Sequence, residues 1–216
     1  MNYRHIKEEI ANSLTHGLGV VLFFIAIPVL VSWTVFKGNI EHIWAVSIFS
    51  VSLLLVYTAS TIYHSIQHPE VKRVLRIVDH ISIYFLIAGS YTPFILFFMN
   101  QMWGYIFLAV VWAIALGGTV FKIFFTGRFK VFSIILYLSM GWMVMFIAKP
   151  IFTAMSFEGL LWLIIGGLAY TLGTIFFMWE KLRYHHAIWH LFVLFGSVSH
   201  YISVFYSMYY VLHVTT

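Results

Sequence analysis

The sequence predicts an all-α membrane protein, a bundle of seven transmembrane helices with a cytoplasmic N-terminus and an external C-terminus. Three observations lead there. Of the 216 residues, 62% are hydrophobic and only 9% are charged, against about 25% charged in a soluble domain. The apolar residues form continuous runs of roughly the 20 positions that a helix needs to cross hydrocarbon, not the alternation of a barrel strand. The basic residues fall almost entirely in every second connection.

Taken in order, the spans are placed at 14–36, 43–66, 81–98, 105–125, 129–148, 159–179 and 186–212. The first follows a charged entry containing Glu8 and Glu9, and no small-x-small cleavage site comes after it, so it reads as a span and not as a signal peptide. The second ends near His64, before the basic connection with Lys72, Arg73 and Arg76. The third opens just after Asp79, the one aspartate of the chain. The fourth ends near Lys122, the fifth runs from Phe129 towards Lys149, and the sixth leads to Lys181 and Arg183. The seventh starts at His186. Pro28 and Pro93 lie inside spans, where neighbouring helices can satisfy the carbonyls they free. The connections are short, so residues 1–216 read as a single domain without a separate soluble part.

Orientation follows from Lys and Arg alone. Arg4, Lys7, Lys72, Arg73, Arg76, Lys122, Arg128, Lys130, Lys181 and Arg183 share one side; Lys37 and Lys149 occupy the other. Ten against two puts the N-terminus in the cytoplasm. The formal charge of +5 is thereby topological, and nucleic acid is excluded as a partner. Cysteine is absent, which removes disulfides, thiol nucleophiles and thiolate metal sites. Histidine, at 11 residues, is plentiful.

Most of those histidines fall near the cytoplasmic ends of the spans. Ionisable groups inside a membrane are expensive and mark functional sites by default. His186 and His190 are four apart and share a helix face; Ser60 and His64 repeat the spacing, and Glu9, Asn12 and His16 share a face of the first span. His64, His186, His190 and Asp79 can reach a common depth on three helices. Three neutral imidazoles with a fourth position open make a catalytic zinc arrangement, in which Asp79 would handle a proton and Ser60 would orient water or a reacting carbonyl. An all-His set also suits copper or nickel. The plainer readings are headgroup contact for His5, His42, His68 and His213, hydrogen-bonded bundle positions for His16 and His80, and a helix-entry role for Glu9 and Asn12. His200 shares the face of His186 but lies about 21 Å along the helix, too far to join the cluster.

The runs Glu9-Ile-Ala-Asn12-Ser-Leu-Thr-His16-Gly17, Ser60-Thr-Ile-Tyr-His64, Asp79-His80 followed by Gly89-Ser-Tyr-Thr-Pro93, and His186-Ala-Ile-Trp-His190 with Gly196-Ser197 and His200 resemble the bacterial hemolysin III family, over essentially the whole chain and in order. That family belongs to the progestin and adipoQ receptor superfamily, which is thought related to alkaline ceramidases. The resemblance implies a bacterial plasma-membrane protein with zinc near the cytoplasmic face, held by His64, His186 and His190, with Ser60 and Asp79 at the family's serine and aspartate positions. The chain lacks the extended N-terminal domain of adiponectin receptors, so their hormone partners are not carried over. Two functions stay open: a zinc-dependent hydrolase of a lipid amide or ester, with ceramidase-like chemistry, and a non-enzymatic lipid sensor or membrane-homeostasis protein with structural zinc. Cytolysis through a pore, as the family name implies, ranks below both, since no span carries a polar stripe suited to a wide channel. Oligomeric state, and the roles of Glu9, Asn12, His80 and His200, are left open.

Overall fold

Long apolar runs with few breakers have one low-energy solution in hydrocarbon: helices that satisfy their own backbone groups. The computed structural model describes residues 3–99 and 101–213, with the side chains of Tyr3 and Arg4 outside the description. Its elements are α1 (Tyr3–Lys37), α2 (Ile40–Ser65), α3 (Pro69–Phe98), α4 (Met102–Phe125), α5 (Lys130–Trp142), a 3-10 segment (Met143–Ile147), α6 (Ala148–Ala154), α7 (Phe157–Met178) and α8 (His185–His213). Counting α5, the 3-10 segment and α6 as one, seven helical stretches are long and apolar enough to cross a membrane. No strand occurs among the described residues.

Two helices outrun their predicted spans for the same reason. α1 begins at Tyr3 and α3 at Pro69, each adding polar turns that carry His5 and Glu9 or Lys72, Arg73, Arg76 and Asp79. A hydropathy reading stops where polarity begins, whereas the helix continues past it. Pro69, at the first helical position of α3, loses no intrahelical hydrogen bond by lacking an N–H. At the opposite end of the bundle, Asn39 caps α2 by accepting from the His42 backbone N–H at 2.9 Å.

The fifth span is not one helix. Tyr91 of α3 reaches its break: the phenol donates towards the Met140 and Gly141 carbonyls, at 2.8 and 2.7 Å, and accepts from the Val144 N–H at 2.8 Å. A side chain thus supplies the partners that a broken helix would otherwise lack in lipid.

Packing runs in a ring. α1 lies against α2 and α8, α2 against α3, α3 against α4 and α5, α5 against α7, and α7 against α8. Phe23, Leu30, Phe49, Leu53, Tyr57, Tyr84, Ile95 and Met208 fill its centre, each almost fully buried. Close approach is set by small residues. Gly159, Gly166 and Gly173 repeat every seven residues on the α8 face of α7; a Cβ on Gly173 would meet Phe192 at 2.7 Å, and one on Gly166 would meet the His200 ring at 2.2 Å. Hydroxyls tie the ring across helices: Tyr57 to the Val193 carbonyl at 3.2 Å, Tyr201 to the Ala26 carbonyl at 2.7 Å, and Ser203 to the Gly159 carbonyl at 2.6 Å.

Candidate metal centre

At the end of the bundle where α2 finishes and α8 begins, three imidazoles converge. One nitrogen from each of His64, His186 and His190 lies within 4.8 Å of the others. The ring centroids are 5.1 Å apart for His64 and His186, 5.1 Å for His64 and His190, and 4.5 Å for His186 and His190. Helix geometry accounts for the last pair, one turn apart on a single face. The α2–α3 and α1–α2 packing brings His64 to the same level. His64 and His190 are buried and His186 is half-buried.

Two of the three rings are oriented from α1. The His64 Nδ1–H donates to Glu9 Oε2 at 3.0 Å, which leaves Nε2 as a lone-pair donor; that atom is buried and has no hydrogen-bond partner. Glu9 is held in turn by the Lys72 ammonium at 2.8 Å, and the same ammonium donates to the Tyr63 and Ile66 carbonyls at the end of α2. The His190 Nδ1–H points between the Asn12 carbonyl at 3.1 Å and Thr15 Oγ1 at 3.2 Å. A carboxylate or carbonyl on the far nitrogen is how metal-binding histidines are oriented and made more basic. A buried, unpartnered Nε2 aimed into a group of neutral nitrogen donors therefore fits a divalent metal such as zinc, and equally copper or nickel.

The sequence placed Glu9 and Asn12 on one helix face, with helix entry as the plainer reading and their roles left open; the structure turns both towards the imidazoles. His16, on that same face, differs from its expected hydrogen-bonded role. Its ring stacks on His190 with centroids 3.6 Å apart and meets the Tyr57 ring edge-on at 4.9 Å, while both ring nitrogens stay buried without a partner. The position is filled by a flat surface instead of a donor. His80 does bond within the bundle, from Nδ1 to the Arg76 carbonyl one turn back at 2.6 Å.

A cavity of about 400 Å³ opens beside the cluster. His16, Asp79, His80, His186 and His190 border one end, and Leu86, Ile87, Phe94, Leu163 and Val193 are among its mostly apolar walls. Asp79 is thus brought to the same space as two of the imidazoles. Ser60 is not on that wall; it is buried in α2 one turn from His64, and its Oγ has no hydrogen-bond partner. His200 borders the cavity further along α8, separate from the cluster as its position on the helix requires.

Similarity to known proteins identifies the family. The family model described as "Haemolysin-III related" matches residues 4–201. The chain is 49% identical over 197 residues to the "Hemolysin-3 homolog" of Bacillus subtilis (strain 168), covering 90% of this chain and 91% of that one. It is 45% identical over 192 residues to the "Hemolysin-3" of Bacillus cereus, covering 89% and 88%. A human protein, "Monocyte to macrophage differentiation factor", is 28% identical over 218 residues, covering 94% of this chain and 85% of its own length. With a family model spanning nearly all its length and two such relatives, the chain belongs to the haemolysin-III related family of integral membrane proteins.

Proposed function

We propose that this protein is a zinc-dependent hydrolase of a lipid amide or ester, working at the cytoplasmic face of a bacterial plasma membrane. The observation that carries the reading is the opening of the imidazole cluster onto a largely apolar cavity, which suits a ligand with a polar linkage and a hydrocarbon chain. Lys7 of α1, Lys72, Arg73 and Arg76 in the first turns of α3, and the basic residues of the α4–α5 and α7–α8 connections support a cytoplasmic location for this end.

Zinc held by His64, His186 and His190 would supply Lewis acidity and bring the pKa of a water down to about 7. The rest is the work of side chains. Glu9 and the Asn12 carbonyl keep the rings of His64 and His190 in the tautomer that presents Nε2. Asp79, on the cavity wall, takes the proton released by the attacking water and returns it to the leaving nitrogen or oxygen. Ser60, one turn from His64 with its Oγ unpartnered, would orient a water at the metal. The apolar walls seat the chain and keep bulk water from the reacting bond.

A non-enzymatic sensor with a structural metal is the competing reading. It is favoured by the way α1, α2 and α8 are tied together through the same rings. The test is metal content and lipid turnover of the purified protein beside the triple variant His64→Ala, His186→Ala, His190→Ala. About one zinc per chain, lost in the variant, with a lipid amide or ester cleaved by wild type alone, is the expected result. Zinc bound without turnover of any membrane lipid would select the sensor, and absence of zinc from wild type sinks both.

A further inference from the structure

An imidazole that binds a metal has to be held in two ways. Its far nitrogen needs an acceptor, and its plane needs a stop, because the Nε2 lone pair lies in the ring plane and a tilted ring aims it elsewhere. A hydrogen bond at Nδ1 meets the first need but lets the ring rock about that bond, and the last torsion of a histidine side chain is broad. A metal site keeps its geometry when such movement is held within about 10–20°.

One face of α1 supplies both restraints to His190. Asn12, Thr15 and His16 stand at i, i+3 and i+4. The His190 Nδ1–H points between the Asn12 carbonyl and Thr15 Oγ1. His16 lays its ring on the His190 ring, with centroids 3.6 Å apart and planes within 16° of parallel. The rings that meet His64 and His186 do so at 47° to 77°. Among the described residues, then, His190 is the one of the three that is stacked face to face on a neighbour.

His16 is itself held. It is buried, and Tyr57 of α2 meets it edge-on at 4.9 Å. The Tyr57 hydroxyl donates to the carbonyl of Val193, three residues beyond His190 on α8. Tyr57 reaches α1 through a slot at Gly19, where a Cβ would stand 2.3 Å from its ring. The contacts close a loop from α8 to α2 to α1 and back to α8, with the stacked pair as one link. Neither nitrogen of His16 has a hydrogen bond of good geometry, and His16 is not among the grouped donors of the cluster. What the side chain offers its neighbour is its face.

We propose that His16 is a positioning residue of the metal centre: its ring face sets the plane of His190, and thereby the direction of the His190 Nε2 lone pair. This rests on the reading of the imidazoles as a metal centre, and on nothing about turnover. A flat ring of similar size should serve at position 16. A side chain that fills the space without a flat face should not.

The test is cobalt(II) binding by the purified full chain in detergent, followed by chelator competition and by the visible absorption of the bound ion, for wild type, His16→Phe, His16→Leu and His16→Met. Phe keeps the face and removes the nitrogens. Leu and Met fill the space without a face, and either serves if the other does not fold. The expected result is an affinity about tenfold lower for Leu and Met, at the low end of the loss that follows removal of an orienting group, with an altered cobalt band. His16→Phe should keep the affinity and the band of wild type. Melting of the metal-free proteins in chelator separates positioning from packing. A merely structural role would lower that melting temperature and leave the band of bound cobalt unchanged, which overturns the proposal. A weaker affinity or an altered band in His16→Phe also overturns it, by placing the effect in the nitrogens of His16, as does wild-type affinity in every variant. Failure of wild type to bind cobalt overturns the metal centre itself and the positioning role with it, so the two failures are told apart.

Discussion

Replacing Glu9 by Gln keeps the shape beside His64 but removes the charge to which the His64 Nδ1–H donates and with which Lys72 pairs. Loss of such an orienting group typically weakens a metal site about 10- to 100-fold, and chelator competition should register a loss of that size for Glu9→Gln. Asn12→Ala should change affinity less, because His190 is oriented by the backbone carbonyl of that residue, which the substitution leaves in place, and the Asn12 amide stands 3.5 Å from His64 Nδ1, farther than the Glu9 carboxylate. A loss for Asn12→Ala equal to that of Glu9→Gln would contradict these assignments. Much of the imidazole cluster was legible in the sequence: three histidines that could reach a common depth, two of them at i and i+4, pointed to it. The role of Glu9 was not, because it depends on how α1 is rotated against α2, and its partner is 55 residues away. The shared face of Glu9, Asn12 and His16 was the available signal, and it did not say what the face looks at.

Neighbouring glycines on α7 separate packing from propensity. A Cβ on Gly166 would sit 2.2 Å from the His200 ring and 3.0 Å from the Gly196 carbonyl, whereas one on Gly167 meets nothing within 4 Å. Gly166→Ala should cost about 1–3 kcal/mol through overpacking; Gly167→Ala should gain roughly 0.5–1 kcal/mol from helix propensity. Thermal unfolding in detergent checks both, and a loss for Gly167→Ala would refute the open-space reading. Tyr91→Phe belongs at this scale too, since it takes the phenol from the Val144 N–H and the Gly141 carbonyl, while the Met140 carbonyl keeps the Met143 N–H. A destabilisation of about 1–3 kcal/mol is expected, with faster hydrogen exchange at the Val144 amide. The seven spans were readable because hydrocarbon thickness fixes their length, and their number emerged intact. The break in the fifth was not, because residues 129–148 hold no proline and read as one long apolar run, and the phenol that stabilises the break comes from α3.

For the whole molecule, a bound metal should act as a fastener between α2 and α8. Ligand linkage gives about 2.7 kcal/mol of stabilisation at free zinc 100 times its dissociation constant. Wild type should therefore melt higher with zinc than with a chelator, and the triple histidine variant should melt alike in both. Orientation is equally open to experiment, since the chain has no cysteine and any introduced thiol is the only one. Glu70→Cys, in the first turn of α3, should label only from the cytoplasmic side, and Gln101→Cys, before α4, only from outside; the reverse pattern would invert the bundle. The arrangement also has a consequence in time. His64 lies in the second span and His186 and His190 in the last, so a chain still leaving the ribosome carries one imidazole through most of its synthesis and completes the set only as its final helix enters the bilayer. Loading of a metal at these three histidines would then be a late step of biogenesis, and a product truncated before α8 would emerge in the membrane without two of the three ligands.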